Sequence, residues 1–372
     1  MKTNCNLLGS FGKLLLVNAL AFVVVLFAAA PASAQEQDEN ELFRLGFEAR
    51  FDYQHQSLAG DVREDLSGIN VRYINMRMDG RIGKMFNYSW RQRLSKTYNA
   101  KSFVDNTDWF YLNFQPTKNW GIAAGKQVVM IGGWEYDRAP IDLYFCSEYW
   151  NNVVCYSYGA SATYTTNKGN DSISFQVCQS PYDNVDFDLF AYNLFWSGSH
   201  GCFSALYSLN FSEYASGKFN TYVALGNQFK FGDATIQLDL MNRGTSAREL
   251  LFDNFSIMSE VAYLVADRVN IFAHVTYDKA GPNAVSGLFV YPGKEVTRVG
   301  GGVEYYPLGG KGNRDVRLHA AYAYNFGENG GSNGVLLHKQ GYLTVGLTWK
   351  INVISAAKNI VNKVLDSRES KL

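Results

Sequence analysis

Apolar and polar side chains alternate along this chain with a period of two residues. In the segment 43–53 every odd position is apolar, from Phe43 to Tyr53, and the even positions between them are Arg, Gly, Glu, Arg and Asp. The same alternation returns at 154–164, 269–278, 316–326 and 343–351. Successive side chains of a β-strand point to opposite faces, so this pattern predicts strands with one apolar and one polar face. A chain with this alternation is expected to fold into β-sheets.

Gly, Asn, Asp and Pro divide the alternating segments from one another, and this punctuation predicts sixteen strands. An even number of strands of about ten residues, separated by turns, is typical of an outer-membrane barrel. The predicted strands lie near 42–55, 69–80, 85–95, 108–115, 119–127, 154–166, 171–180, 187–197, 200–212, 218–231, 233–243, 253–265, 268–279, 295–307, 315–326 and 337–351.

The connections between these strands differ in length in a regular way. Links after even-numbered strands are mostly short, as at 116–118, 167–170, Gly232 and Asp267. Links after odd-numbered strands are mostly longer. Bacterial barrels have short turns on the periplasmic side and long loops outside, which places the N-terminus in the periplasm. The longer links are 56–68, 96–107, 128–153, 244–252, 280–294 and 327–336.

Composition indicates which face of the strands meets lipid. A soluble secreted β-protein also alternates, but its outer face needs Lys and Glu, and here many polar positions are Ser, Thr, Asn, Gly and Gln. Charged residues make up 18% of the chain and hydrophobic residues 47%, with aromatics at 15%. The expected fold is therefore an all-β, transmembrane antiparallel barrel of 16 strands around a polar lumen. The net charge of zero gives no reason to expect nucleic acid as a partner.

The two ends of the chain carry signals of a different kind. Lys2 and Lys13 precede an apolar run and a small-residue site at 32–34, which predicts a cleaved signal peptide at 1–34; an N-terminal membrane anchor is the alternative. A polar leader follows at 35–41, and it leaves no room for a plug before the barrel, which we assign to 42–351. Residues 352–372 carry apolar side chains at helical spacing and form either a short amphipathic helix or a loose tail.

The stretch from 87 to 159 resembles the phosphate-selective porin O and P family, in the form common among Bacteroidetes-type bacteria. The segments that carry the resemblance are Trp90–Arg93, Asp108–Pro116, Gly125–Gln127, Gly132–Glu135 and Tyr156–Gly159, followed by Tyr342–Lys350 at the end of the barrel. The resemblance implies a homotrimeric outer-membrane porin whose third long loop, 128–153 (loop 3), folds into the lumen and narrows the pore. Its expected partners are outer-membrane lipids, ions and small hydrophilic solutes.

Charges on the predicted polar faces suggest how such a pore is lined. Strand parity gives the lumen a basic wall cluster, which either attracts anions or pairs with Glu48, Asp52 and Asp79 on the same wall. Loop 3 is acidic, and we expect Glu135 and Asp137 to line the constriction, whereas Asp142 and Glu148 pin the loop to the wall. The wall cluster is Arg44, Arg50, Arg77, Arg91 and Arg93, and the candidate constriction residues are Glu135, Asp137, Arg138, Asp142 and Lys126.

Two functions besides passive diffusion remain open: an anion- or phosphate-selective channel, and a non-conducting structural or adhesin barrel. Phosphate-specific members are expected to carry lysines at the constriction, but the predicted loop 3 contains Arg138 and no lysine. No HExxH or P-loop pattern occurs, so we expect no enzyme and no cofactor. His274 and His319 lack partners at metal-ligand spacing and are expected to be solvated in the lumen. Four cysteines after position 34 predict isolated thiols or at most one disulfide.

Overall fold

The structure is a computed structural model that describes residues 43–95, 103–182, 188–246, 249, 253–282, 284, 290–309, 313–329 and 339–353. The predicted signal peptide 1–34, the leader 35–41 and all but the first two residues of the tail 352–372 lie outside the described residues. These assignments stay predictions.

A single antiparallel sheet closes on itself, because the first strand pairs with the last from Gly46↔Asn352 to Leu58↔Gln340. Sixteen long strands form the wall, as the alternation predicts, and a two-residue strand extends the first connection. The strands are β1 Phe43–Leu58, β2 Asp61–Val62, β3 Gly68–Ile82, β4 Phe86–Arg93, β5 Thr107–Phe114, β6 Trp120–Val128, β7 Tyr156–Thr165, β8 Asp171–Gln179, β9 Phe190–His200, β10 Phe203–Ala215, β11 Lys218–Phe231, β12 Ala234–Gly244, β13 Phe255–Val265, β14 Val269–Lys279, β15 Lys294–Tyr305, β16 Val316–Asn329 and β17 Gln340–Asn352.

The two faces of the wall have opposite chemistry. Apolar side chains such as Phe110 and Ile173 are 62% and 53% exposed on the outside. Amides such as Gln176, Asn193 and Asn210 are fully buried and hydrogen-bond to one another inside, with N···O distances of 2.7 and 2.9 Å. An apolar exterior around a polar interior is the reverse of a soluble protein and matches a barrel surrounded by lipid.

The two rims differ in the way the sequence predicts, with two exceptions. Turns at one end are short, for example Gly201–Cys202 between β9 and β10 and Gly232–Asp233 between β11 and β12. We call this end the short-turn rim and the opposite end the long-loop rim. The exceptions are a two-residue turn at 216–217 on the long-loop rim and the longer link 306–315 on the short-turn rim.

Loop 3 lies inside the barrel. It leaves β6 after Val128, forms short helices at Trp134–Asp137 and Glu148–Asn152, and enters β7 at Tyr156. Its backbone bonds to inward side chains of strands far apart around the wall, including Ser208 on β10 and Arg50 on β1. Because those strands do not neighbour one another, a segment that reaches the inner face of both must cross the lumen.

Glycines allow loop 3 to lie flat on the wall at β10 and β11. Gly132 donates its N–H to Ser208 Oγ (2.8 Å), and Gly133 donates to the Leu206 carbonyl (3.1 Å). Gly133 has φ of 108°, which a residue with a Cβ rarely adopts. A Cβ on the facing residue of β11, Gly226, would stand 2.6 Å from the Gly133 Cα. Two backbones approach here without side chains between them.

Candidate pore and constriction

Loop 3 divides the lumen into two large cavities. The first has a volume of about 850 Å³ and lies between the loop and the inner wall of β3 to β7, and Arg44 at the start of β1 also borders it. The second has a volume of about 540 Å³ and lies between the loop and the wall of β11 to β17. Both reach the short-turn rim, where Arg81 lines the first and Asp233 the second. Arg138 of loop 3 borders both.

Arginines on opposite sides of the β1–β17 seam hold the tip of loop 3. Arg50, only 1% exposed, pairs with Asp52 (2.7 Å) and donates to the carbonyls of Ile141 and Leu143. Arg317 on β16 donates to the Ile141 carbonyl and pairs with Asp142 at 3.0 Å. These contacts fasten the loop tip to the wall at Arg50 and Arg317.

Asp142 is bound from two sides. Besides Arg317, Lys350 approaches its carboxylate at 3.2 Å. Burial alone would raise the pKa of Asp142, but the two cations outweigh burial and hold the pKa below its ordinary value. The carboxylate therefore stays charged and acts as a pin, although it also borders the second cavity.

Two further ion pairs fix the helices of loop 3. The guanidinium of Arg138 makes a bidentate pair with Glu260 on β13, at 2.9 and 2.6 Å, and donates to Gln237 on β12. Arg298 on β15 donates to Glu148 at 3.0 Å, while Asp278 on β14 accepts the backbone N–H of Glu148. Paired charges of this kind resist displacement because removing one partner leaves the other buried and uncompensated.

Glu135 is placed differently from the sequence expectation, which had it facing the constriction. It is 4% exposed, and its carboxylate accepts hydrogen bonds from the backbone N–H of Ser147 (2.9 Å) and from the Ser147 hydroxyl. Burial raises its pKa, but His274 and Ser147 outweigh burial and hold the pKa below the ordinary value. A buried carboxylate is stable only when its lone pairs accept hydrogen bonds. Because Ser147 at the start of the second helix donates these bonds, Glu135 of the first helix ties the two helices of loop 3 together.

Asp137 lies three positions before Pro140 and has the opposite environment. Its side chain is exposed and borders the first cavity. Within the described part of the chain its carboxylate has neither an ion pair nor a hydrogen bond. It shares the cavity with Arg44 and Arg91 of the opposite wall.

The wall arginines all belong to the inner face, but most of their charge is balanced there. Arg91 and Arg93 share Asp108, with the Arg93 contact at 2.6 Å, and Arg91 also reaches Glu48 at 3.0 Å. Arg77 pairs with Asp79 at 2.7 Å yet leaves 55% of its side chain exposed. Arg44 is exposed at the start of β1. The pairing alternative is thus what the geometry favours for Arg91 and Arg93.

Lys126 is not at the constriction. It stands between Phe110 and Tyr158 across the sheet, and both neighbours are largely exposed on the outer face. Its ammonium donates to the Val104 carbonyl (3.3 Å) and lies 5.6 Å from the Tyr158 ring. Lys126 therefore faces outward, like these two neighbours. Because Val128 ends β6 two residues later, Lys126 also lies close to the long-loop rim.

The lumen histidines are also unlike the expectation, since both are buried instead of solvated. His274 contacts Glu260 at 3.0 Å and Glu135 at 3.5 Å, and His319 contacts Asp52 at 3.0 Å. In the described ranges no three His, Cys, Asp or Glu side chains are arranged to hold a metal ion. The four cysteines described, Cys146, Cys155, Cys178 and Cys202, are free thiols.

Sequence reasoning missed the wall partners of loop 3. They sit at inward positions of β8 and of β10 to β17, but nothing in the sequence linked them to the loop. The residues that bind the loop and were not singled out as its partners include Gln176, Ser208, Asn210, Gln237, Asp239, Glu260, Asp278, Arg298, Glu304, Arg317 and Lys350.

A closed barrel with an apolar exterior, a polar lumen and an inward loop defines a membrane channel of the porin class. The family model of phosphate-selective porin O and P matches residues 43–244, more than half of the chain. The chain belongs to this family and is an outer-membrane porin, through which ions and small solutes pass. No curated protein sequence matches it.

Solved structures support the same fold. The anion-selective porin from Comamonas acidovorans is 13% identical, with a TM-score of 0.59 over 83% of this chain and 99% of that one. OmpT of Vibrio cholerae, expressed in the outer membrane, is 14% identical, with a TM-score of 0.55 over 86% and 100%. A mutant of Rh. blastica porin is 13% identical, with a TM-score of 0.52 over 83% and 100%. At such low identity the likeness concerns the fold alone.

Proposed function

We propose that this porin conducts weakly selected ions and small hydrophilic solutes through one narrow gap on the β3–β5 side of loop 3. The gap lies between the loop segment 137–140, together with Trp150, and the inner wall that carries Arg91 and Trp109. We call it the constriction. The carboxylate of Asp137, which is exposed in the first cavity and has no partner among the described residues, is the observation that carries the proposal.

The path from rim to rim supports this position of the gap. A third cavity of about 140 Å³ lies toward the long-loop rim, where Gln54 borders it, and it shares Pro140 and Trp150 with the first cavity. The third cavity also touches Tyr144 and Phe145, which border the second cavity. In the second cavity both rings pack on Phe272, at 5.7 and 6.4 Å between centroids. This packing closes the passage between the second and third cavities.

Charge across the constriction is opposed but modest. Asp137 faces a wall on which Asp108, Glu48 and Asp79 offset much of the arginine charge. Opposed charges orient water across the gap and disfavour apolar solutes, while the near balance gives no strong preference for either ion. The constriction roles of Asp137 and Arg138, the pinning role of Asp142, and the anion-attracting role of the exposed Arg44 and Arg77 are part of this proposal.

Reversal potentials across a planar bilayer in a KCl gradient test it. Asp137→Asn removes the unpaired negative charge, so cations lose relative permeability and the reversal potential moves toward the chloride equilibrium potential. Asp65→Asn is the matched control, since Asp65 is an exposed acid of the β2–β3 connection. An unchanged reversal potential in Asp137→Asn, or an equal shift in Asp65→Asn, contradicts the proposal.

An anion-selective pore is the second candidate, and the exposed Arg44 and Arg77 favour it. The anion selectivity named for the Comamonas acidovorans porin points the same way. If phosphate at submillimolar concentration blocks the KCl conductance, the phosphate-selective alternative is correct and weak selectivity is wrong. A barrel that inserts without discrete conductance steps is a structural or adhesin protein.

We also propose a homotrimer, the assembly implied by the family resemblance. OmpT of Vibrio cholerae is described in a trimer form. Light scattering in mild detergent is expected to give three times the mass of one chain, and a monomer mass contradicts the trimer.

A further inference from the structure

The inner wall of the first cavity carries a line of aromatic rings along the pore axis. On β5, Trp109, Tyr111 and Asn113 face the lumen, while Phe110 and Leu112 between them face outward and are 62% and 41% exposed. Tyr156, at the start of β7, extends the line toward the long-loop rim, with its ring 6.0 Å from that of Trp109. We call Tyr156, Trp109 and Tyr111 the aromatic strip.

Tyr111 is the member of the strip with the most open ring. Its cross-strand neighbours are Ser89 on β4 and Gly125 on β6, neither of which has a side chain large enough to cover it. Gly125 is held at φ of 131°, and a Cβ there would stand 2.9 Å from the Tyr111 Cα. The Tyr111 and Asn113 side chains make no hydrogen bond or ring contact with the described residues. The ring and hydroxyl of Tyr111 and the amide of Asn113 are therefore available to a solute.

Trp109 presents a ring with a fixed orientation. Its indole N–H donates to Ser89 Oγ at 2.8 Å, and the guanidinium groups of Arg91 and Arg77 lie 5.0 and 5.6 Å from its centroid. A ring fixed in this way loses little entropy when a solute stacks on it.

Polar groups of loop 3 border the same cavity. Asp137 contributes a carboxylate that is exposed and unpaired in the part of the chain described. Trp150, on the second loop helix, contributes its indole ring, whose Nε1 is buried and has no hydrogen-bond partner among the described residues. A solute in this space meets flat apolar rings together with a free carboxylate acceptor and the Asn113 amide.

We propose that the aromatic strip binds the rings of neutral saccharides as they pass loop 3. A pyranose has apolar C–H faces, which suit the negative face of an aromatic ring, and a rim of hydroxyls, which donate to a carboxylate and bond to an amide. A cavity of about 850 Å³ has the size and mixed lining of a small-molecule site. Charged solutes gain less, because the arginines beside the strip already pair with Asp108, Glu48 and Asp79. This inference rests on the proposed conducting pore.

Blockade of ion current by maltotriose tests it, with the purified full chain in a planar bilayer in KCl. Maltotriose is expected to reduce the current in a saturable way, whereas polyethylene glycol of similar mass, which has no rings, is not. Tyr111→Ala and Tyr111→Leu are each expected to raise the half-blocking concentration about tenfold, because a stacked ring contributes about 0.5–1.5 kcal/mol and 1.4 kcal/mol is a factor of ten.

Two controls separate stacking from changes in pore width or folding. Tyr111→Phe keeps the ring and should stay within about threefold of the natural protein, because a hydroxyl in a water-filled pore gains a hydrogen bond at the lower end of the range of about 0.5–1.5 kcal/mol, and 0.5 kcal/mol is about twofold. Phe110→Ala changes the neighbouring, outward residue and should leave blockade unchanged. Normal KCl conductance without saccharide blockade overturns the saccharide inference alone. Two other results do the same: polyethylene glycol that blocks as strongly as maltotriose, or maltotriose that blocks Tyr111→Leu as strongly as the natural protein. An absence of conductance steps overturns the proposed pore itself.

Discussion

Replacing Gly226 on β11 by alanine tests how loop 3 is seated. The added Cβ would stand 2.6 Å from the Gly133 Cα, 2.8 Å from the Gly133 nitrogen and 3.0 Å from the Leu206 carbonyl oxygen. Ordinary contact begins near 3.4 Å. All three neighbours are backbone atoms, which cannot rotate away as the end of a side chain does. The loop must therefore move.

The displacement follows from these distances. Moving Gly133 from 2.6 to 3.4 Å shifts the loop by about 0.8 Å, which would lengthen its 3.1 Å hydrogen bond to the Leu206 carbonyl to about 3.9 Å and break it. Overpacking of this kind costs about 1–3 kcal/mol, offset by about 0.5–1 kcal/mol for replacing glycine within a strand. The net cost falls on loop seating, because the barrel strands keep their pairing.

Because the wall of β11 is behind the loop, the shift carries the helix Trp134–Asp137 toward the first cavity. Single-channel conductance in KCl is expected to fall and open-channel noise to rise in Gly226→Ala. Gly46→Ala is the matched control, since the nearest atom to its Cβ is a carbonyl oxygen at an ordinary 3.6 Å. Unaltered conductance and noise in Gly226→Ala would refute the close backbone seating of loop 3.

Two further outcomes follow from the ion pairs and from the outer face. Arg50→Ala removes the guanidinium that pairs with the buried Asp52 and is expected to destabilise the barrel by about 3–5 kcal/mol, measured as a lower midpoint of urea unfolding. Arg63→Ala, which breaks an exposed pair worth about 0–1 kcal/mol, should hardly move that midpoint, and equal effects would contradict this reasoning. Lys126→Gln, on the outer face, is expected to keep the reversal potential of the natural protein in a KCl gradient; a shift would place Lys126 in the pore.

Alternation was sufficient to predict the barrel, because each membrane strand has one apolar and one polar face, and these appear in the sequence as alternating residues. The predicted strand 218–231 coincides with β11, and most other ends differ by one to three residues. β1 continues three residues past its predicted end, to Leu58, and forms a hairpin with β2. Alternation weakens beyond Tyr53, where His55 and Ser57 take the outward positions, so the pattern stopped before the strand did.

Parity could assign the arginines to the lumen but could not tell which of them fasten the loop. Arg50 and Arg91 have the same position in the pattern, yet Arg50 binds carbonyls of loop 3, 91 and 93 residues away, and Arg91 binds Asp108 on the wall. The same limit explains Glu135 and Asp137, which are two residues apart on one helical turn. One faces Ser147 and His274 and the other faces water, a difference set by tertiary packing alone.

Lys126 shows where local reasoning misled. Lys126 precedes loop 3 and was a candidate constriction residue. Its register against Phe110 and Tyr158 instead sends it to the outer face. Gln127 hydrogen-bonds to Ser161 inside the barrel. Because neighbouring residues of a strand point to opposite faces, Lys126 next to it must point outward.

Cysteine accessibility measures the position of the constriction most directly. The background is Cys155→Ser with Cys202→Ser, which removes the natural thiol that borders the first cavity and the exposed one. In this background Asp137→Cys, Glu135→Cys and Lys126→Cys are each treated with a hydrophilic, charged methanethiosulfonate reagent while single-channel current is recorded. The reagent is expected to lower the current at once for Asp137→Cys and to leave it unchanged for the buried position 135 and the outward position 126. Current that falls for Lys126→Cys but not for Asp137→Cys would contradict a pore that passes between loop 3 and the β3–β5 wall.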